Sequence, residues 1–156
     1  MRTPPLNPPA VPRRRTWRAG LRCCIAWCVT WSVAMSAQAG VVVIAHPSLH
    51  KLDTDTVQRI YTGKVIVVGG VSVSPVHLPV GSPQRQHFMA ELMQQSEDAY
   101  QAYWTVRRYV GKGTPPREVH NLAEALGHVG ATPGGMAYVD DTDLPAGANV
   151  VWRLGR

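Results

Sequence analysis

Beyond residue 28 the chain has no cysteine: the three it contains, Cys23, Cys24 and Cys28, lie within a single short stretch. Everything downstream therefore has no disulfide, no thiolate nucleophile and no cysteine metal site, and its stability rests on ordinary core packing. Acid is missing from the start of the chain, with no Asp or Glu before Asp53. No apolar run reaches the roughly 20 residues needed to span a bilayer. Beyond the first 39 residues there is no internal repeat and no low-complexity tract. Charged residues make up only 17%, but hydrophobic ones reach 45%, which excludes a mainly disordered chain. At 156 residues there is room for one domain and hardly two.

What is present at the start is arginine. Arg2, Arg13, Arg14, Arg15, Arg18 and Arg22 precede an apolar run from Cys23 through Ile25, Trp27, Val29, Trp31, Val33 and Met35. Ser36-Ala37-Gln38-Ala39-Gly40 then places small side chains three residues and one residue before a peptidase cut. Residues 1–39 are predicted to be a cleavable signal peptide, which makes the protein periplasmic. Arg13–Arg15 with Trp17 leaves the general and twin-arginine export routes both open. The formal net charge of +6 and the pI near 9.7 invite a nucleic-acid partner. Removing the leader takes away six arginines and leaves ten basic residues against ten acidic ones. The remaining 40–156 domain is neutral, and no nucleic acid is expected as a partner.

Within it, Val41–Ala45 is a continuous, mostly β-branched run that reads as a strand buried on both faces. Asp53 is placed to cap a short helix with Val57, Ile60 and Tyr61 on its apolar stripe, stopped at Gly63. Lys64–Val68 reads as a second strand before Gly69-Gly70, and Val76–Leu78 as a third. Ser82 and Pro83 suit a helix start, with Phe88, Leu92 and Met93 inward. A further helix begins near Ser96-Glu97-Asp98 and carries Tyr100, Tyr103 and Trp104 as core. Another spans about Asn121–His128. Met136–Val139 and Val150–Leu154 read as strands. Strands interleaved with helices predict an α/β domain.

Four segments occur in a recognisable order: "LDTDTVQRIYTGK" at Leu52–Lys64, "SPQRQHF" at Ser82–Phe88, "YVGKGTPP" at Tyr109–Pro116 and "ATPGGMAYV" at Ala131–Val139. Together they resemble the substrate-binding component of phosphate ABC importers. The resemblance implies an α/β periplasmic binding protein-like lobe, a mixed β-sheet flanked by helices. It also implies a non-catalytic role, with phosphate or a similar oxyanion as ligand and an ABC permease or another periplasmic protein as partner. The positions matching the family's anion contacts are Gly81, Ser82 and Arg85, with Lys112 joining a basic rim formed by Arg107, Arg108 and Arg117. A helix start offers unpaired N–H groups, and an arginine offers a fork that matches phosphate oxygens.

Two departures shape the expectation. The remaining 117 residues suffice for one lobe, and Pro83-Gln84 stands where relatives place Gly-Thr, which removes one amide donor and one hydroxyl. Half a ligand shell leaves an anion hydrated, so affinity is expected around millimolar, equivalent to about 4 kcal/mol. A homodimer could supply the second wall. The alternative is an interaction or accessory module derived from a binding-protein lobe.

The remaining candidates point to ordinary structure. Gly111-Lys112-Gly113-Thr114 lacks the upstream glycine of a nucleotide-binding loop, and a glycine separates its Lys from its Thr. His46 and His50 are four apart with Pro47 between them, and His120 and His128 have no carboxylate pair near them, so no metal or cofactor is expected. Asp140, Asp141 and Asp143 read as a solvated turn. No nucleophile, base and orienting residue can be matched, and no enzyme is expected.

Overall fold

The computed structural model describes residues 40–154. The predicted signal peptide, with all three cysteines, lies outside the described residues. The chain order is β1 (Val41–Ala45), α1 (Thr54–Tyr61), β2 (Val67–Val68), β3 (Val71–Ser72), β4 (Ser74–His77), α2 (Pro83–Phe88), a π turn (Met89–Met93), α3 (Glu97–Tyr109), β5 (Arg117–Glu118), α4 (Leu122–Ala131), β6 (Gly135–Asp140), a 3-10 turn (Asp141–Asp143) and β7 (Val150–Arg153). Five strands form one sheet in the order β5-β4-β6-β1-β7. β4 runs parallel to β5 and β6, whereas β1 is antiparallel to β6 and β7. The α/β class and the mixed, helix-flanked sheet are those the sequence implied.

The run Val41–Ala45 is buried at every position because it lies between two strands and is covered on both faces. β6, Gly135–Asp140, is likewise buried throughout. Each fully buried aliphatic or aromatic side chain contributes about 1.5–3 kcal/mol, so these two strands anchor the core. α1 starts where Asp53 Oδ1 accepts the Thr56 N–H at 2.9 Å and buries Val57, Ile60 and Tyr61.

The end of α1 shows why α3 has its sequence. Carbonyls in the last turn of a helix lack internal partners. Here Tyr100 Oη donates to Tyr61 O at 2.6 Å, Tyr103 Oη to Thr62 O at 2.9 Å, and Arg107 Nη2 to Gly63 O at 3.1 Å. Residues 100, 103 and 107 share one helical face. The aromatic pattern predicted as core is thus core and cap together. Gly63 has φ +66°, and a Cβ there would lie 2.6 Å from Trp104 Cη2.

Some elements differ from the sequence expectation. The Lys64–Val68 run yields only the two-residue β2, paired with β3 in a separate hairpin. The Lys64 and Val65 amides both donate to Arg59 O, which keeps that stretch folded back on α1 and leaves Ile66 and Val67 exposed. The helix after Ser82 keeps α-geometry only to Phe88; the wider π turn follows and ends at Gln94 with φ +54°. α4 uses Asn121 as its cap, with Oδ1 accepting from Glu124 N at 2.9 Å, and continues to Ala131 despite Gly127 and Gly130. Among the described residues no helix is long and apolar enough to cross a membrane.

Candidate functional site

β4 ends at His77, and the chain then turns through Leu78–Gly81 into α2. Gly81 takes φ +84°, a conformation glycine adopts without strain. Ser82 occupies the cap position, but its side chain makes no cap bond, and its buried Oγ has no hydrogen-bond partner.

One turn later stands Arg85, whose charge a solvated first-turn position would have left in water. It is only 5% exposed. Its Nε and Nη2 donate side-on to Glu97 Oε2 and Oε1 at 3.0 and 2.6 Å, and its Nη1 donates to Leu78 O and to Glu118 Oε2, both at 2.8 Å. Burial works against the charge, but the Glu97 hydrogen bond and the neighbouring negative charges outweigh it and raise the Arg85 pKa. Arg85 therefore ties the β4–α2 turn to the start of α3 and to the edge strand β5. We expect Arg85→Met to destabilise the protein by about 3 kcal/mol, because it strands the mostly buried Glu97 carboxylate and the Leu78 carbonyl. Urea denaturation measures this; a loss below about 1 kcal/mol would show the cluster to be loosely held.

Beneath Arg85 lies a closed hydrogen-bond chain. The Tyr100 hydroxyl gives its single hydrogen to Tyr61 O, so the 2.7 Å contact with His77 Nε2 requires the imidazole to donate there. His77 Nδ1 is then an acceptor for Tyr138 Oη at 3.2 Å, and Tyr138 Oη in turn accepts the Leu78 N–H at 3.1 Å. Tyr61, Phe88, Tyr100 and Tyr138 surround the ring with centroids 5.2–5.8 Å away. Burial, with a smaller contribution from the Arg85 charge, pushes the His77 pKa down to about 3. His77 is a neutral structural group, already bonded at both ring nitrogens.

Arg85 forms part of the wall of two open hollows. One, of about 360 Å³, runs along Gly81, Gln86, Ser96 and Glu97. The other, of about 510 Å³, lies between α3 and β5 and carries Thr105, Arg108, Thr114, Arg117 and Glu118. The second falls in the size range of small-ligand sites. Gly81, Ser82 and Arg85 are thus brought together, and Arg108 and Arg117 of the expected basic rim line the larger hollow. Lys112 lines neither; its carbonyl accepts from Arg107 Nη2 at 2.8 Å. The acidic turn is tied down too: Asp140 is buried against His87 Nδ1 at 3.1 Å, and Asp141 pairs with Arg153 at 2.8 Å. Among the described residues no three His, Cys, Asp or Glu side chains are grouped to hold a metal ion. Sequence reasoning missed His77, Glu97 and Glu118. Glu97 carried only a helix-start signal, and nothing local links residue 85 to residue 118.

No protein-family model and no curated protein matches the sequence. Solved structures do match. An ABC-type phosphate transport receptor from Vibrio cholerae superimposes over 72% of this chain and 45% of its own, with a TM-score of 0.54 and 12% identity. A Clostridium perfringens protein described as a phosphate ABC transporter substrate-binding protein with bound phosphate matches 72% of this chain and 44% of its own, with a TM-score of 0.55 and 16% identity. The chain has a periplasmic-binding-protein-type fold. The resemblance read from the ordered motifs is borne out at that level. This chain spans less than half the length of those binding proteins, so it reproduces part of their architecture.

Proposed function

We propose that this binding-protein-type lobe is exported to the periplasm with loss of residues 1–39 and serves as a non-catalytic solute-binding module that makes a weak oxyanion contact at Arg85. The observation that carries the reading is a buried arginine, one turn past the β4–α2 loop, forming part of the wall of two open hollows. Gly81 and Ser82 flank the contact from the loop, Arg108 and Arg117 line the larger hollow, and Lys112 adds to the basic end of α3. A phosphate-sized anion held from one side keeps much of its hydration, so the expected dissociation constant is millimolar.

Calorimetric titration of the exported, purified protein with phosphate tests this, after mass spectrometry has located its N-terminus. Heat that saturates in the low millimolar range is the expected outcome. No heat at tens of millimolar overturns the anion contact, and an intact Met1 start overturns the processing.

The same cluster supports a second reading. Glu97 and Glu118 already occupy most of the Arg85 donors, as in a lobe that has given up ligand capture to become an accessory subunit. Absence of anion binding, together with stoichiometric co-purification of one periplasmic protein such as a permease subunit, would favour it.

A further inference from the structure

The two carboxylates on Arg85 are held differently. Glu97 grips the guanidinium through both oxygens, is three-quarters buried and receives a further bond from Gln101 Nε2 at 3.0 Å. Glu118 is held by one bond, Nη1 to Oε2, and its side chain is 51% exposed on the edge strand. A bidentate, mostly buried pair fixes an arginine in place, whereas a half-exposed single contact is worth about 1 kcal/mol at most. Glu118 can therefore leave without releasing Arg85.

Charge decides what can take its place. Glu97 already balances Arg85, so Glu118 gives the cluster a net charge of −1. A monoanionic carboxylate that replaces Glu118 restores the same charge and the same N–H···O contact. With Arg108 in the same hollow, a monoanion leaves these charges balanced, whereas a phosphate dianion would leave one negative charge unmatched. The hollow is also large for a bare tetrahedral anion, at about 510 Å³. Its lining includes Thr105, Thr114 and Arg108, and Arg108 has no carboxylate bound to it among the described residues.

We propose that the groove between α3 and β5 takes an organic carboxylate, which replaces Glu118 on Nη1 of Arg85. Glu118 is then an internal competitor that swings into solvent when the ligand enters. The inference rests on the reading that Arg85 meets an oxyanion and narrows the class of ligand. The carboxylate belongs either to a free small acid or to an acidic side chain of another protein; the contact at Nη1 is the same.

Titrations of the wild type and of Glu118→Gln with the monoanion butyrate, with a capped Ala-Glu-Ala peptide and with inorganic phosphate test it, and thermal melting checks that the half-exposed substitution leaves the protein folded. Removing the competitor is expected to tighten carboxylate binding about fivefold, with a smaller gain for phosphate. Glu118→Ala is expected to behave likewise. A gain for butyrate points to a free acid, and a gain for the peptide alone points to a protein side chain; either upholds the proposal. Phosphate binding with no carboxylate gain in Glu118→Gln overturns the proposal and leaves the oxyanion reading standing. Carboxylate binding with the gain, and none for phosphate, upholds the proposal and removes phosphate as the ligand. No binding of any probe to either protein overturns both.

Discussion

Lowering the pH from 7 to 4 is expected to remove about 3 kcal/mol of folding stability through His77 alone. The folded-state pKa of this imidazole is depressed to about 3 from 6.5 in the unfolded chain. Its contribution is therefore complete above pH 6.5 and lost progressively as the pH falls toward 3. The cause is burial, with a smaller contribution from the Arg85 charge: the ring lies among four aromatic side chains and is only 1% exposed, so a second proton would place a charge out of reach of water. Asp53 and Glu124 also have lowered pKa values, by hydrogen bonds to Thr56 and His120 respectively, so their contributions stand above the ordinary values of 3.8 and 4.5 and are lost as the pH falls past them. The interval from pH 6.5 to about 5 is thus largely free of their contribution. Urea denaturation across that interval measures the slope. His77→Gln keeps a donor toward Tyr100 but cannot titrate; it should lower stability at pH 7 by about 1–3 kcal/mol and flatten the pH dependence. An equally steep profile in the variant would show that the titrating group lies elsewhere.

The second large effect is expected at Gly134. Its φ is +76°, and a Cβ there would lie 2.0 Å from the carbonyl oxygen of Ser72 and 3.0 Å from its carbon. Those are backbone atoms, so no side chain can turn aside. The Gly134 carbonyl accepts the Ser74 N–H at 2.8 Å and its own N–H donates to Ser48 Oγ at 3.1 Å, which locks the loop between two segments. Gly134→Ala thus combines a left-handed conformation, costing about 1–2 kcal/mol, with a forced separation of the β3–β4 link from β6. We expect a loss of at least about 3 kcal/mol, or more than about 10 °C in Tm for a domain of this size. Gly69→Ala is the control, since Gly69 also has positive φ (+57°) but nothing within 4 Å of a Cβ. Equal losses in the two variants would remove the close approach from the explanation.

Much of the fold was legible because its signals are local. The mostly β-branched run Val41–Ala45 reads as a strand buried on both faces, and it is buried at every position. The cap at Asp53 works over three residues, and its oxygen meets the Thr56 amide; the helix expected to start at Ser82 does so without a bond from that side chain. The aromatic stripe of α3 faces inward as its spacing required. Lys64–Val68 misled because β propensity describes a residue's fit to a pleated surface, and the run meets only β3, outside the five-stranded sheet. β5 escaped notice because two residues carry no periodicity.

The candidate site was legible only in outline. Residues 81, 82 and 85 are near neighbours along the chain, and the structure keeps them together. The partners of Arg85 come from 12 and 33 residues away, and those of His77 from 23 and 61.

By itself, then, the sequence determined the neutrality and cysteine-free composition of the 40–156 segment, the α/β alternation, the Asp53 cap and the burial of Val41–Ala45 on both faces. Each follows from composition or from contacts within a few residues. Tertiary structure alone decided that Arg85 is a buried cation held between two acidic side chains, that His77 is neutral, and that Gly134 admits no side chain. Charge state and free space depend on which distant segments meet, and the folding of the whole sheet brings those segments together.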